Sequence, residues 1–184
     1  MHSVVAALHA LPWFLPVIVL TAVTAAVVSV PVGRLIRSPA WVVFVVIGSL
    51  GLIAAITLTP TPTAIFAPPV STCLVDRLRP PHLSQLTSPN ETSLNVALFV
   101  PLGVACALIH RWGQVVVAAF LAFWVPFGVE AVQYEFPELR RVCSTSDIMA
   151  NLTGLAIGLV GALLLIRPLL MISRDRDAQL TWRS

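Results

Sequence analysis

The sequence predicts an all-α membrane protein, a polytopic bundle of about five transmembrane helices. Three observations carry this. Of 184 residues, 58% are hydrophobic and only 10% charged, with a mean hydropathy of +0.93; this balance belongs to chains whose solvent is lipid. Residues 1–33 contain no Asp, Glu, Lys or Arg. Five apolar stretches each approach the roughly 20 residues that a bilayer crossing requires.

The first stretch covers residues 13–33. No positive segment precedes it, so it reads as a retained span and not a cleaved signal peptide. The second covers 40–59. The third, 94–109, is short and carries Pro101 and Gly103, breakers that membrane helices tolerate when neighbours satisfy the freed backbone groups. The fourth covers 114–134 and contains Pro126, and the fifth covers 148–166. Between the second and third lie residues 60–93, where seven of the fifteen prolines fall; such a segment is an irregular loop on the membrane surface. The chain therefore divides into two N-terminal spans (1–59), a proline-rich loop (60–93), a three-helix core (94–167) and a short charged tail (168–184).

All eleven basic residues are arginines. Arg34, Arg37, Arg111, Arg167, Arg174, Arg176 and Arg183 fall on the C-terminal side of the alternating spans. Arg77, Arg79, Arg140 and Arg141 fall on the other. The positive-inside rule then places the N-terminus outside and the C-terminus in the cytoplasm of a plasma-membrane protein. Trp13, Trp41 and Trp112 mark span ends as an aromatic belt does. A net charge of +3 is too small and scattered for nucleic-acid binding, and these arginines are read as topology determinants.

The polar residues concentrate in 128–158, GVEAVQYEFPELRRVCSTSDIMANLTGLAIG. A charge at the centre of a membrane helix costs roughly 2.5–3.5 kcal/mol, so a chain that groups several is using them. Gln133 and Tyr134 stand at i+3 and i+4 from Glu130 and share its helical face. Asp147 opens the fifth span, with Ser144, Ser146 or Asp147 itself as N-cap. Asn151 follows at i+4, and Gly154 and Gly158 continue that face as a small-xxx-small pair suited to close helix packing. Asn95 begins the third span on the same side. Asn95, Glu130, Gln133, Arg141, Asp147 and Asn151 are thus expected to converge at the outer membrane surface as a ligand-binding cluster, with Arg141 pairing with Glu130 or Asp147.

Each residue also has a plainer use. Asp147 serves as an N-cap, Asn151 as an interhelical hydrogen bond, and Glu130 with Arg141 as a loop-to-helix ion pair. It is the grouping that favours function. The four histidines show no metal-ligand spacing, so no metal site is expected. No glycine-rich phosphate loop or Ser-His-Asp pattern occurs, and no cofactor is expected.

The run from Asn95 (NVALFVPLG) through Glu130 and Gln133 (VEAVQ) to Arg141, Asp147, Asn151 and Gly154 (RVCSTSDIMANLTGLAIG) resembles the VanZ-like family of bacterial membrane proteins. The likeness covers residues 95–161, and the Thr-Leu-Thr-Pro end of the second span is also similar to family members. Where many members carry a second Asp, three residues before Asp147, this chain has Ser144. The founding member is associated with low-level resistance to teicoplanin, a glycopeptide acting on cell-wall precursors. The resemblance implies a cell-envelope context and leaves the mechanism open. In the leading reading the outer cluster binds a membrane lipid head group or lipid-linked cell-wall precursor and so alters glycopeptide sensitivity, with Arg141 taking phosphate or carboxylate. Two alternatives stand beside it. One is a membrane enzyme on a lipid-linked substrate, with Glu130 as general base and Asp147 positioning water or a cation. The other is a structural subunit.

Of three cysteines, Cys106 lies within the third span and reads as a small apolar residue. Cys73 and Cys143 lie in loops assigned to the outer, oxidising side, and a disulfide between them is expected to tie the proline-rich loop over the cluster.

Overall fold

A computed structural model describes residues 13–60, 72–75 and 78–170. Arg77, most of the tail with Arg174, Arg176 and Arg183, and part of the proline-rich loop lie outside the described residues. The protein is an all-α bundle. Its five main helices are α1 (Phe14–Ile36), α2 (Ala40–Thr57), α3 (Glu91–Ala107), α4 (Trp112–Glu135) and α5 (Thr145–Gly161). A π-helical turn, Ala162–Ile166, carries α5 onward, so that the continuous helix spans Thr145–Leu170. Four of the five are long and apolar enough to cross a membrane.

Two helices start three residues before the apolar pattern does. Helix α3 begins at Glu91 because Asn90 and Ser93 form a capping box: Asn90 Oδ1 accepts from the Ser93 amide at 2.8 Å, and Ser93 Oγ accepts from the Asn90 amide at 3.0 Å. Helix α5 begins at Thr145, with Ser144 as N-cap accepting from the Ser146 amide at 3.2 Å. Asp147 is therefore a first-turn residue and does not open the helix. Hydropathy misses such turns because their capping side chains are polar.

Helix α3 has 17 residues, about 26 Å at 1.5 Å per residue. It is the enclosed member of the bundle, burying Val96, Leu98, Phe99, Leu102, Gly103, Ala105, Cys106 and Ala107. The core forms around it from Phe99, Leu102, Ile53, Val129 and Leu155. Lipid tails are as apolar as this core, so burial alone does not drive helices together; close van der Waals contact does. Glycines supply it. A Cβ at Gly154 would run into the Val96 carbonyl, one at Gly158 into the Val100 carbonyl, and one at Gly103 into the Leu155 carbonyl. The expected Gly154 and Gly158 pair is thus the seam between α5 and α3, completed by Gly103 from the other side. Helix α1 lies at the edge, packed chiefly on α2, with Leu20, Val23 and Val27 facing outward.

Cys73–Leu74 (β1) and Cys143–Ser144 (β2) pair in parallel, with Cys73 opposite Cys143. The two cysteines are disulfide-bonded, with Cα atoms 4.4 Å apart. Cys106 is free and buried.

Candidate functional site

The C-terminus of α2, the N-termini of α3 and α5 and the C-terminus of α4 meet at one end of the bundle. The last carbonyls of a helix have no partner of their own. Here side chains from distant parts of the chain supply them. Gln133 Nε2 on α4 donates to the Thr57 carbonyl at 2.9 Å. Arg141 Nη2 donates to the Ile56 carbonyl at 2.7 Å and to that of Thr59 at 3.4 Å. A cation at this position also complements the negative end of the α2 dipole. Thr57 and Thr59 fold their own hydroxyls back onto the carbonyls of Ile53 and Ala55, at 2.7 and 2.6 Å. The Thr-Leu-Thr-Pro end of the span is thereby a hydrogen-bonding surface for the loop that follows α4.

Glu130 is buried at 3% exposure, and its Oε2 accepts from the Ser144 amide at 2.8 Å. One carboxylate thus pins the short strand β2, its disulfide and the N-cap of α5. Ser144 Oγ also lies 2.6 Å from Ser146 Oγ. Of the two partners expected for Arg141, Glu130 or Asp147, Glu130 binds the Ser144 amide. The charges acting on Arg141 are Glu91 first and Asp147 second. Burial lowers the pKa of Arg141 from its ordinary value, and those two carboxylates oppose the shift.

These groups surround a cavity of about 550 Å3, within the usual range of small-molecule sites. All six residues expected to converge line it: Asn95, Glu130, Gln133, Arg141, Asp147 and Asn151. Glu91, Arg140, Ser144, Ser146 and Thr57 join them. Leu74, Leu94 and Val142 also line it while remaining exposed, giving a partly apolar rim. Two polar atoms in its wall are buried without a hydrogen-bond partner, Asn151 Oδ1 and Arg141 Nε. Asn151 is 1% exposed. Among the described residues no group of three or more His, Cys, Asp or Glu could hold a metal ion.

The sequence model of the VanZ/LLP1 family matches residues 7–167. The chain belongs to the VanZ/LLP1 family. The match extends well beyond residues 95–161, which carried the resemblance in sequence, and takes in α1 and α2. No curated protein and no solved structure matches the chain. In this VanZ-family protein, Ser144 serves as the N-cap of α5. Glu91 and Arg140 escaped sequence reasoning. The signal for Glu91 was its place directly after Asn90, in the first turn of a capped helix; Arg140 adjoins Arg141 but lay outside the family pattern.

Proposed function

We propose that this VanZ-family membrane protein binds the polar head of a membrane lipid or lipid-linked cell-wall precursor at the outer membrane face. Through that binding it alters sensitivity to glycopeptides such as teicoplanin. One observation carries the reading: a cavity of about 550 Å3 joins a charged and amide-rich interior to an exposed apolar rim. An amphiphile entering from the bilayer would meet both. Asn151 Oδ1 would accept a hydroxyl or amide proton from the head group, and Arg141 Nε would donate to a phosphate or carboxylate oxygen. A buried polar atom without a partner costs about 1–3 kcal/mol, and a bound head group would relieve that cost. Asn95, Asp147 and Glu91 would complete the contacts from α3 and α5. Binding is favoured over catalysis because the Glu130 carboxylate is engaged in holding the Ser144 amide.

The test is mass spectrometry of lipids that copurify with the full-length protein in native-lipid particles, comparing wild type with Asn151→Ala. A head-group class enriched in wild type and lost in the variant supports binding. Equal lipid content in both, with both folded, defeats it. Hydrolysed or transferred head groups, appearing only with wild type, would instead support the enzyme reading, and Glu130→Gln should abolish them. Teicoplanin susceptibility of cells expressing each form tests the link to glycopeptides.

A further inference from the structure

The opposite end of the bundle carries a second concavity. It is a groove of about 450 Å3 where α1 turns into α2, lined by Arg34, Arg37, Ser38, Pro39, Ala40 and His110 among others. Both arginines are exposed, and no carboxylate is among the lining residues. The N-terminus of α2 opens into it. Pro39 supplies no side-chain cap, and the first turn of α2 holds no acidic residue, so the positive end of the helix dipole stands unneutralised.

An independent observation makes this a site. Ser38 is 8% exposed, and its Oγ is buried without a hydrogen-bond partner. The turn that holds it is tight: the Ser38 amide donates to the Gly33 carbonyl at 2.9 Å, and a Cβ at Gly33 would come within 2.9 Å of the Ser38 backbone carbonyl oxygen. Arg37 sits at φ 52°, where helix ends usually place glycine. Arg140, which lines the first cavity, is the other non-glycine residue with positive φ among the described residues.

The surface leading to the groove is apolar. Val19, Val23, Val27 and Val30 are exposed along one face of α1, and Val30 lines the groove itself. The occupant should therefore join an anionic head to a hydrocarbon tail. We propose that this groove binds the phosphate of an anionic phospholipid from the leaflet opposite the first cavity. Arg34 and Arg37 hold the phosphate oxygens, Ser38 Oγ donates to one of them, and the acyl chains lie along the α1 valines. The proposal is independent of what the first cavity binds.

The test places the full-length protein in discs of phosphatidylcholine containing a minor share of phosphatidylglycerol. Native mass spectrometry then counts retained phosphatidylglycerol. Arg37→Gly keeps a residue suited to the left-handed turn and should lower retention roughly fivefold, with Arg34→Gln adding a similar factor. Ser38→Ala should weaken retention, and Arg111→Gln, a basic residue at the same end outside the groove, should not. Unchanged retention in the Arg34→Gln/Arg37→Gly pair would overturn the proposal. Equal loss in Arg111→Gln would also overturn it, since it would reduce the effect to general surface charge. Retention of added inorganic phosphate in place of the lipid would overturn the assignment to an amphiphile.

Discussion

The seam between α3 and α5 makes a sharp prediction about a single methyl group. In Gly154→Ala the new Cβ would stand against the Val96 carbonyl oxygen, 2.8 Å from its carbon and 3.0 Å from Val96 Cα. All three are backbone atoms, so no rotamer change makes room, and the helices must separate. Overpacking costs about 1–3 kcal/mol, and an obstruction made of backbone places this change near 3 kcal/mol. Gly161 on the same helix provides the control, because nothing lies within 4 Å of a Cβ built there. Gly161→Ala should be neutral or stabilise by about 0.4–1 kcal/mol, through reduced freedom of the unfolded chain. Thermal unfolding of both variants in one detergent, followed by the tryptophan signal, measures the difference. Equal melting temperatures would refute close backbone contact at Gly154 and the packing derived from it.

Other expectations follow from the cavity end. Mass spectrometry of non-reduced protein should find Cys106 as the free thiol. Reducing the Cys73–Cys143 bond should lower stability by at most about 4 kcal/mol, the loop-closure value for a separation of 70 residues; two further free thiols would contradict the clasp. Arg141→Met leaves the Ile56 and Thr59 carbonyls without their donor. It should cost about 2 kcal/mol, read as a lower melting temperature and faster proteolysis after Thr59; an unchanged melt would remove the capping role. Reporter fusions at Arg37 and Ser184 should read cytoplasmic and fusions in the 60–93 loop external. A cytoplasmic signal from that loop would invert the topology and move the first cavity to the inner face.

Much of this was legible in the sequence because membrane solvation simplifies it. Apolar runs declare helices, and a polar residue inside one stands out, so Glu130, Gln133 and Asn151 are visible as a group in the sequence. The glycine seam was visible for the same reason, as spacing on one face. What the sequence left open was division of labour. Sequence identifies Arg141 as an anion ligand but not that its Nη2 caps α2. It marks Glu130 as an ion partner or base but not that it holds the Ser144 amide. Both bonds end on backbone atoms, which carry no residue-type signature, and those of Arg141 cross more than 80 positions of chain. The early starts of α3 and α5 are hidden because the capping box of one and the serine N-cap of the other resemble loops to any scale that rewards hydrophobicity.

The disulfide also has an arithmetic consequence for how the chain threads the bilayer. Two bonded sulfurs must lie in the same aqueous compartment, so the chain between Cys73 and Cys143 crosses the membrane an even number of times. That stretch contains two main helices, α3 and α4. Helix α4 has 24 residues and a mean hydropathy of 2.1, and meets the criteria for a span unaided. If α4 crosses, parity requires α3 to cross as well, although its 17 residues fall short by length. With α1, α2 and α5 also spanning, as their length and hydropathy allow, the described helices would make five crossings. On that threading Trp13 at the head of α1 would face the same compartment as the clasp, and Leu170 would face the other. A single bond in a loop thus ties the threading of α3, which hydropathy leaves ambiguous, to that of α4.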